Sequence, residues 1–234
     1  MIDLTKYLDY RIDAVCGDQK ILINSVAGSI NLAYCDVIYE DEDIEWVAGI
    51  YDKVPRGGII IIQTDWHTDY LYRAFLQNYL GANFINHLVW KNEWGNHPKN
   101  KFHQCYDDIL IFSKGKDYKF YPDRIQVPKA TANTKLNPSG RVTKTATAWI
   151  DDICLTTTSK ERVKDETGHN VRWQKPLKLY DRIILPFTDF FDMIFDPFMG
   201  VASLGKWSQQ NKRNYFGTEI QKKVYELALK NLGI

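Results

Sequence analysis

Apolar residues along this chain come in two rhythms. Runs of four to six consecutive apolar residues, IIII and ILIF among them, alternate with stretches in which apolar positions recur every three or four residues. The first rhythm suits strands covered on both faces, the second suits helices lying on them. Strands are predicted over Ile12–Cys16, Ile30–Cys35, Gly58–Gln63, Phe84–Trp90, Tyr106–Ser113, Met193–Phe195 and Asn214–Thr218. Helices are predicted over Asp43–Lys53, Thr68–Leu80, Pro176–Phe187, Ala202–Asn211 and Gln221–Leu232, the first opened by acids that suit a helix N-terminus. Alternation of the two kinds gives an α/β chain built on a doubly wound sheet. Between Lys114 and Arg172 the rhythm breaks. Pro122, Pro128, Pro138, Gly140, Gly168 and a Thr-, Lys- and Asn-rich tract predict a small irregular lobe inserted in the core.

At 234 residues with 44% apolar content, the chain can bury a full core. No apolar run approaches the roughly 20 residues of a membrane span, which excludes a transmembrane protein. The N-terminal MIDLTKYLDY lacks a basic region followed by a cleavage site, so secretion is not expected. Cys16, Cys35, Cys105 and Cys154 form no CxxC pair, which points to a reducing cytoplasm and no structural metal. The net charge of +1 hides an uneven distribution. Residues 1–90 carry 6 basic and 13 acidic side chains, residues 91–178 carry 17 and 10, and residues 179–234 carry 7 and 6. The basic third coincides with the irregular lobe, and such asymmetry suits either a nucleic-acid surface or a solvated lysine-rich face.

Two constellations carry chemistry. Near the C-terminus, MIFDPFMGVAS runs from a strand through Asp196, Pro197, Phe198 and Gly200 into a helix, a turn that lets backbone approach a ligand. Glu219 follows at the end of the next strand, where an acid can accept hydrogen bonds from two ribose hydroxyls. Together they suggest a nucleoside-containing cofactor, and the missing GxGxxG spacing disfavours a dinucleotide. Near the N-terminus, the strand INLAYC ends in Asp36, Val37, Ile38 and Tyr39, which sets a carboxylate and an aromatic ring at a strand's carboxyl edge. Tyr39 could stack on a planar base while Asp36 bonds its amino group; a capping Asp and a half-buried Tyr are the plainer alternative.

These residues resemble the β-class DNA amino-methyltransferases, S-adenosylmethionine-dependent enzymes of adenine N6 or cytosine N4 with permuted motif order. VCGDQ resembles the turn whose acid meets the cofactor's adenine, and INLAYCDVIY lies where the family has a strand followed by DPPY. WKNEW and HQCYDDILIFSKGKDYKF resemble the segment in which a His-Glu-like pair leads into a strand. RWQKPLKLYDRII resembles the QKP helix start, DPFMG the cofactor loop, and YFGTEIQKKVYELA the acidic strand end with the final helix.

The resemblance implies a Rossmann-like methyltransferase sheet of the seven-stranded type, with residues 1–113 as its catalytic half, 114–172 as a target-recognition lobe and 173–234 as its cofactor half. It assigns Asp36 and Tyr39 to catalysis, and Asp18, Lys175, Pro176, Asp196, Phe198, Gly200, Ser203 and Glu219 to S-adenosylmethionine. Arg141, Lys144, Lys160, Arg162 and Arg172 are the expected DNA contacts. The partners it implies are DNA, a second copy of the chain and a cognate restriction endonuclease, in a restriction-modification setting without a membrane. The leading Asp of the acceptor motif favours adenine N6, with cytosine N4 as the alternative. Departures from the family are the missing prolines of DVIY, Ala202 in place of a third glycine, and four acids over Glu40–Asp43 beside the acceptor motif. They leave room for a methyltransferase-fold protein that binds cofactor or DNA without transferring methyl.

Overall fold

In a computed structural model, residues 10–23, 29–39, 42–92, 98–135 and 137–234 are described. The leader reading of residues 1–9, Glu40 and Asp41 of the acidic run, and Glu93 and Trp94 of WKNEW lie outside them.

The core is one mixed sheet. Its parallel part is formed by β1 (Ile12–Cys16), β2 (Leu32–Asp36), β3 (Ile59–Thr64), β9 (Met193–Asp196) and β10 (Asn214–Glu219). Along the sheet these lie in the order β1-β10-β9-β2-β3, followed by β5 (Tyr106–Ser113), β4 (Asn83–Lys91) and β8 (Trp149–Ile150). β5 runs antiparallel to both β3 and β4. Among the described residues the sheet therefore has eight strands rather than seven, because segment 114–172 contributes β8 alongside β4.

Strand residues divide between the faces with period two, as the pleat requires. Leu32 and Tyr34, Ile59 and Ile61, and Ile109 and Ile111 enter one cluster with α4 (Leu177–Ile183), α5 (Ser203–Gln210) and α6 (Lys222–Leu232). Ala33 and Cys35, Ile60 and Ile62, and Leu110 and Phe112 enter the other with α2 (Val47–Lys53) and α3 (Asp69–Ala74). Both faces are covered, which explains why these strands are apolar throughout. The expected helices form with shorter bounds. The first begins at Val47 rather than Asp43, and the second passes from α3 into a π-helical turn over Phe75–Tyr79. A four-residue helix, α1 (Gln19–Leu22), was not expected.

The segment 114–172 is less irregular than its composition implies. β6 (Gln126–Pro128) and β7 (Thr143–Thr145) form a small hairpin of their own. Lys119, Tyr121 and Arg124 all bond Asp189, which ties the start of the segment to the turn before β9. Together these contacts hold Asp189 well below the usual carboxylate range, against the raising effect of its burial. None of the helices among the described residues is long and apolar enough to cross a membrane.

Candidate active site at the carboxyl edge of the sheet

β9 and β10 continue the chain in one direction along the sheet, whereas β2 and β3 run the other way from β9. Ligands of doubly wound sheets bind in the crevice where the order diverges, outside the carboxyl ends of the strands. Asp36, Asp196 and Glu219 are the last residues of β2, β9 and β10. The expected chemistry thus converges on the point that topology selects.

Asp36 is held by an ion pair. Its Oδ2 lies 2.7 Å from Lys175 Nζ, and both side chains are largely buried, 18% and 7% exposed. Lys175 also lies 3.9 Å from Asp107 Oδ2. Asp107 is buried and accepts hydrogen bonds from Gln63 Nε2 at 2.7 Å, Asn92 Nδ2 at 2.8 Å and the Tyr39 hydroxyl. Gln63 in turn accepts from the Tyr34 hydroxyl at 2.6 Å. Within this network one atom stands out. Among the described residues, Asp36 Oδ1 has no hydrogen-bond partner although it is buried. An acceptor of that kind is costly to leave unmade, and it suits a donor brought by a ligand. Burial raises the Asp36 pKa even though the Lys175 ammonium pulls it down. Burial would depress Lys175, but Asp36 and Asp107 outweigh it and keep the ammonium charged.

Sequence reasoning did not find Asp107, Gln63 or Asn92. Because β5 is antiparallel, its first residues lie at the edge where the parallel strands end, with Asp108 opposite Thr64. The signal available was a polar residue closing each apolar run, Gln63 after IIII and Asp107 before ILIF.

The missing prolines of the acceptor motif are offset locally. Val37 N–H donates to Gln63 O at 3.0 Å, a bond proline could not make, and the Val37 side chain is buried in the core. Tyr39 is half-buried at the rim, edge-on to Trp173 at 6.4 Å between ring centroids. Of the acid run, Asp43 pairs with Lys20 of α1.

The second half of the crevice is the loop after β9 that the sequence reading expects to hold a cofactor. Burial pushes Asp196 up to about 8, with the Asp36 charge adding to it and the Tyr215 hydroxyl bond at 3.0 Å opposing it. Its Oδ1 is buried and has no hydrogen-bond partner among the described residues, and the same holds for the Oγ of Ser203 at the start of α5. Glu219 accepts from Gly200 N at 3.2 Å and Gln221 N at 2.8 Å, so the loop and the strand end are tied together. Its pKa is raised by burial. Gly200 has φ +52° and Ala202 φ +55°, and Phe198 packs edge-on against Trp46 at 5.0 Å. Asp18 caps α1 through Lys20 N at 2.8 Å, and Gly17 N bonds Glu219 O at 2.9 Å, which brings the VCGDQ turn alongside. Pro176, also buried, follows Lys175 and is the N-cap of α4. The crevice thus gathers Asp18, Asp36, Asp196 and Glu219 with the ammonium of Lys175. Such a set of carboxylate acceptors suits a ligand with positive charge and vicinal hydroxyls.

The profile of the N6/N4 DNA methylase family matches residues 39–230. The chain belongs to that family. Type II methyltransferase M.HpaI of Haemophilus parainfluenzae is 29% identical over 190 residues, covering 80% of this chain and 57% of that protein. The chain spans about half the length of the curated relatives it matches. Among solved structures, an M1.HpyAVI–SAM complex superposes with a TM-score of 0.68 at 21% identity, covering 94% of this chain and 100% of that one. The cytosine-N4-specific PvuII DNA methyltransferase gives 0.69 at 12%, covering 95% and 90%. Both bear out the expected α/β methylase sheet.

The lobe's basic residues divide. Arg141 and Lys144, at and beside the β6–β7 hairpin, are exposed, as are Lys160 and Arg172. Lys160 lines a cavity of about 510 Å³ between the lobe, α5 and α6, into which Ser203 also faces. Arg162 is occupied within the lobe, donating to the carbonyls of Leu155 at 2.9 Å, Thr156 at 3.2 Å and Val171 at 3.4 Å. That is a pinning contact rather than an open phosphate ligand.

Proposed function

We propose that this methylase-family chain transfers a methyl group from S-adenosylmethionine to the exocyclic amino group of a DNA base. The observation that carries the reading is Asp36 Oδ1, a buried acceptor with no partner among the described residues, whose twin oxygen is clamped by Lys175. When bound, S-adenosylmethionine supplies an electrophilic sulfonium methyl. Asp196, Phe198 and Gly200 of the loop and Ser203 at the start of α5, with Asp18, Lys175 and Pro176 around them, would hold it, and Glu219 would accept from its ribose hydroxyls.

On the acceptor side, Tyr39 stacks on the base once the base has left the helix. Asp36 Oδ1 and the backbone carbonyl of Val37 accept hydrogen bonds from the amino group and aim the nitrogen lone pair away from them. The Lys175 ammonium and the hydrogen bond from Val37 N–H keep these acceptors fixed, so the contribution of the chain is mostly positioning. Adenine N6 is favoured by Asp36 as the leading residue of the acceptor motif.

The test is incubation with methyl-labelled S-adenosylmethionine and DNA amplified in vitro, followed by digestion to nucleosides and mass spectrometry. Label in N6-methyladenine is expected, lost in Asp36→Ala and Tyr39→Ala while cofactor affinity is retained. Label only in methylcytosine would overturn the adenine assignment. Transfer by Asp36→Ala at the wild-type rate would overturn the site.

A further inference from the structure

Trp173 is the least expected residue at the rim. It is 72% exposed, yet its backbone has φ +65°, a conformation that bulky side chains adopt only against a steric cost. The cost is imposed by the residues that follow. Gln174 donates to Glu161 O at 2.7 Å and accepts from Val163 N at 2.9 Å, and Lys175 is drawn inward to Asp36. With the two residues after it buried in fixed contacts, the indole is held out over the acceptor motif, its only ring partner among the described residues being Tyr39. A ring that covered Tyr39 for stability would bury more of itself.

We infer that Trp173 and Tyr39 form the two walls of a slot that sandwiches the target base, Trp173 stacking on the face that Tyr39 leaves open. The dimensions suit this. The centroids stand 6.4 Å apart at an interplanar angle of 65°. A base between two parallel rings needs two stacking spacings of about 3.4 Å, roughly 7 Å in all. Turning the rings parallel and parting them by about half an ångström admits one base and no more. Stacking is tolerant of base identity, so the slot supplies grip while Asp36 and Val37 read the amino group. The inference rests on the function proposed above.

The test compares Trp173→Gly, which removes the ring and relieves the positive φ, with Trp173→Phe, which keeps an aromatic face. Methylation of in-vitro-amplified DNA, anisotropy of a fluorescent single-stranded oligonucleotide, cofactor affinity and melting temperature are read together. Loss of one stacked face should lower kcat/KM by roughly 5- to 150-fold in Trp173→Gly and weaken oligonucleotide binding, with Trp173→Phe recovering most of both. Melting temperature should be unchanged or higher and cofactor affinity unchanged. Trp173→Gly within twofold of wild type in both DNA readouts overturns the slot, as does an equal loss of cofactor affinity. A wild-type chain that binds the oligonucleotide without methylating DNA would sink the proposed function instead. The slot would then stand only if Trp173→Gly still loses that binding.

Discussion

Replacing Lys175 by Met keeps the buried stem and removes the ammonium. At 2.7 Å from Asp36 and an effective dielectric constant of about 20, the lost attraction is about 6 kcal/mol, with a smaller term from Asp107 at 3.9 Å. Relief of the desolvation of the ammonium offsets part of it, and removing one partner of a buried pair costs about 3–5 kcal/mol net. For a chain of this size that corresponds to a fall in melting temperature of roughly 6–20 °C. The sign of the pH dependence follows from Asp36. Its folded pKa is already raised by burial, so its ionisation opposes folding, and loss of the ammonium raises it further. A group of this kind is harmless below its unfolded pKa of about 3.9 and destabilises progressively as pH rises towards its folded value. The deficit of Lys175→Met should therefore be largest at neutral pH and shrink on acidification. Urea denaturation at about pH 5 and about pH 8 measures it, with Asp36→Asn added to remove the stranded charge. The same deficit at both pH values, or no relief from Asp36→Asn, would refute the reasoning.

Glu219→Ala should weaken S-adenosylmethionine binding about ten- to a hundredfold, the value of a hydrogen-bonded carboxylate, and unchanged calorimetric affinity would remove Glu219 from the cofactor site. Ala202→Gly should stay within about 1 kcal/mol of wild type in urea denaturation, since relief of its positive φ offsets the lost methyl, whereas Ala202→Val at this fully buried position should lose more than about 2 kcal/mol. Arg141→Ala with Lys144→Ala should flatten the slope of log DNA affinity against log salt by nearly two units, read by filter binding. Arg162→Ala should instead lower the melting temperature, because its guanidinium holds three carbonyls of the lobe. An unchanged slope in the first variant would move the DNA surface elsewhere.

How much of this was legible depends on what each residue's role is made of. β1 and β5 fall on their expected bounds because strands covered on both faces leave an unbroken apolar signature. β6 and β7 were missed because they are short, polar and mostly exposed, and β8 is only two residues long. Asp36, Asp196 and Glu219 were readable as a set because each closes a parallel strand, and parallel strands end at one edge. Asp107 belongs with them but lies at the start of its strand, second after Tyr106, and strand direction is written in the pairing rather than in the residues. Arg162 and Arg141 are the same residue type in the same basic tract, and only the carbonyls around the first decide that it pins the lobe. DVIY makes the same point in reverse. The sequence registers the loss of two stiff prolines, but the compensation uses a backbone N–H and a neighbouring strand's carbonyl, groups every residue carries. Where a site is held by side-chain chemistry its type can be read in advance, and where it is held by backbone it emerges only with the fold.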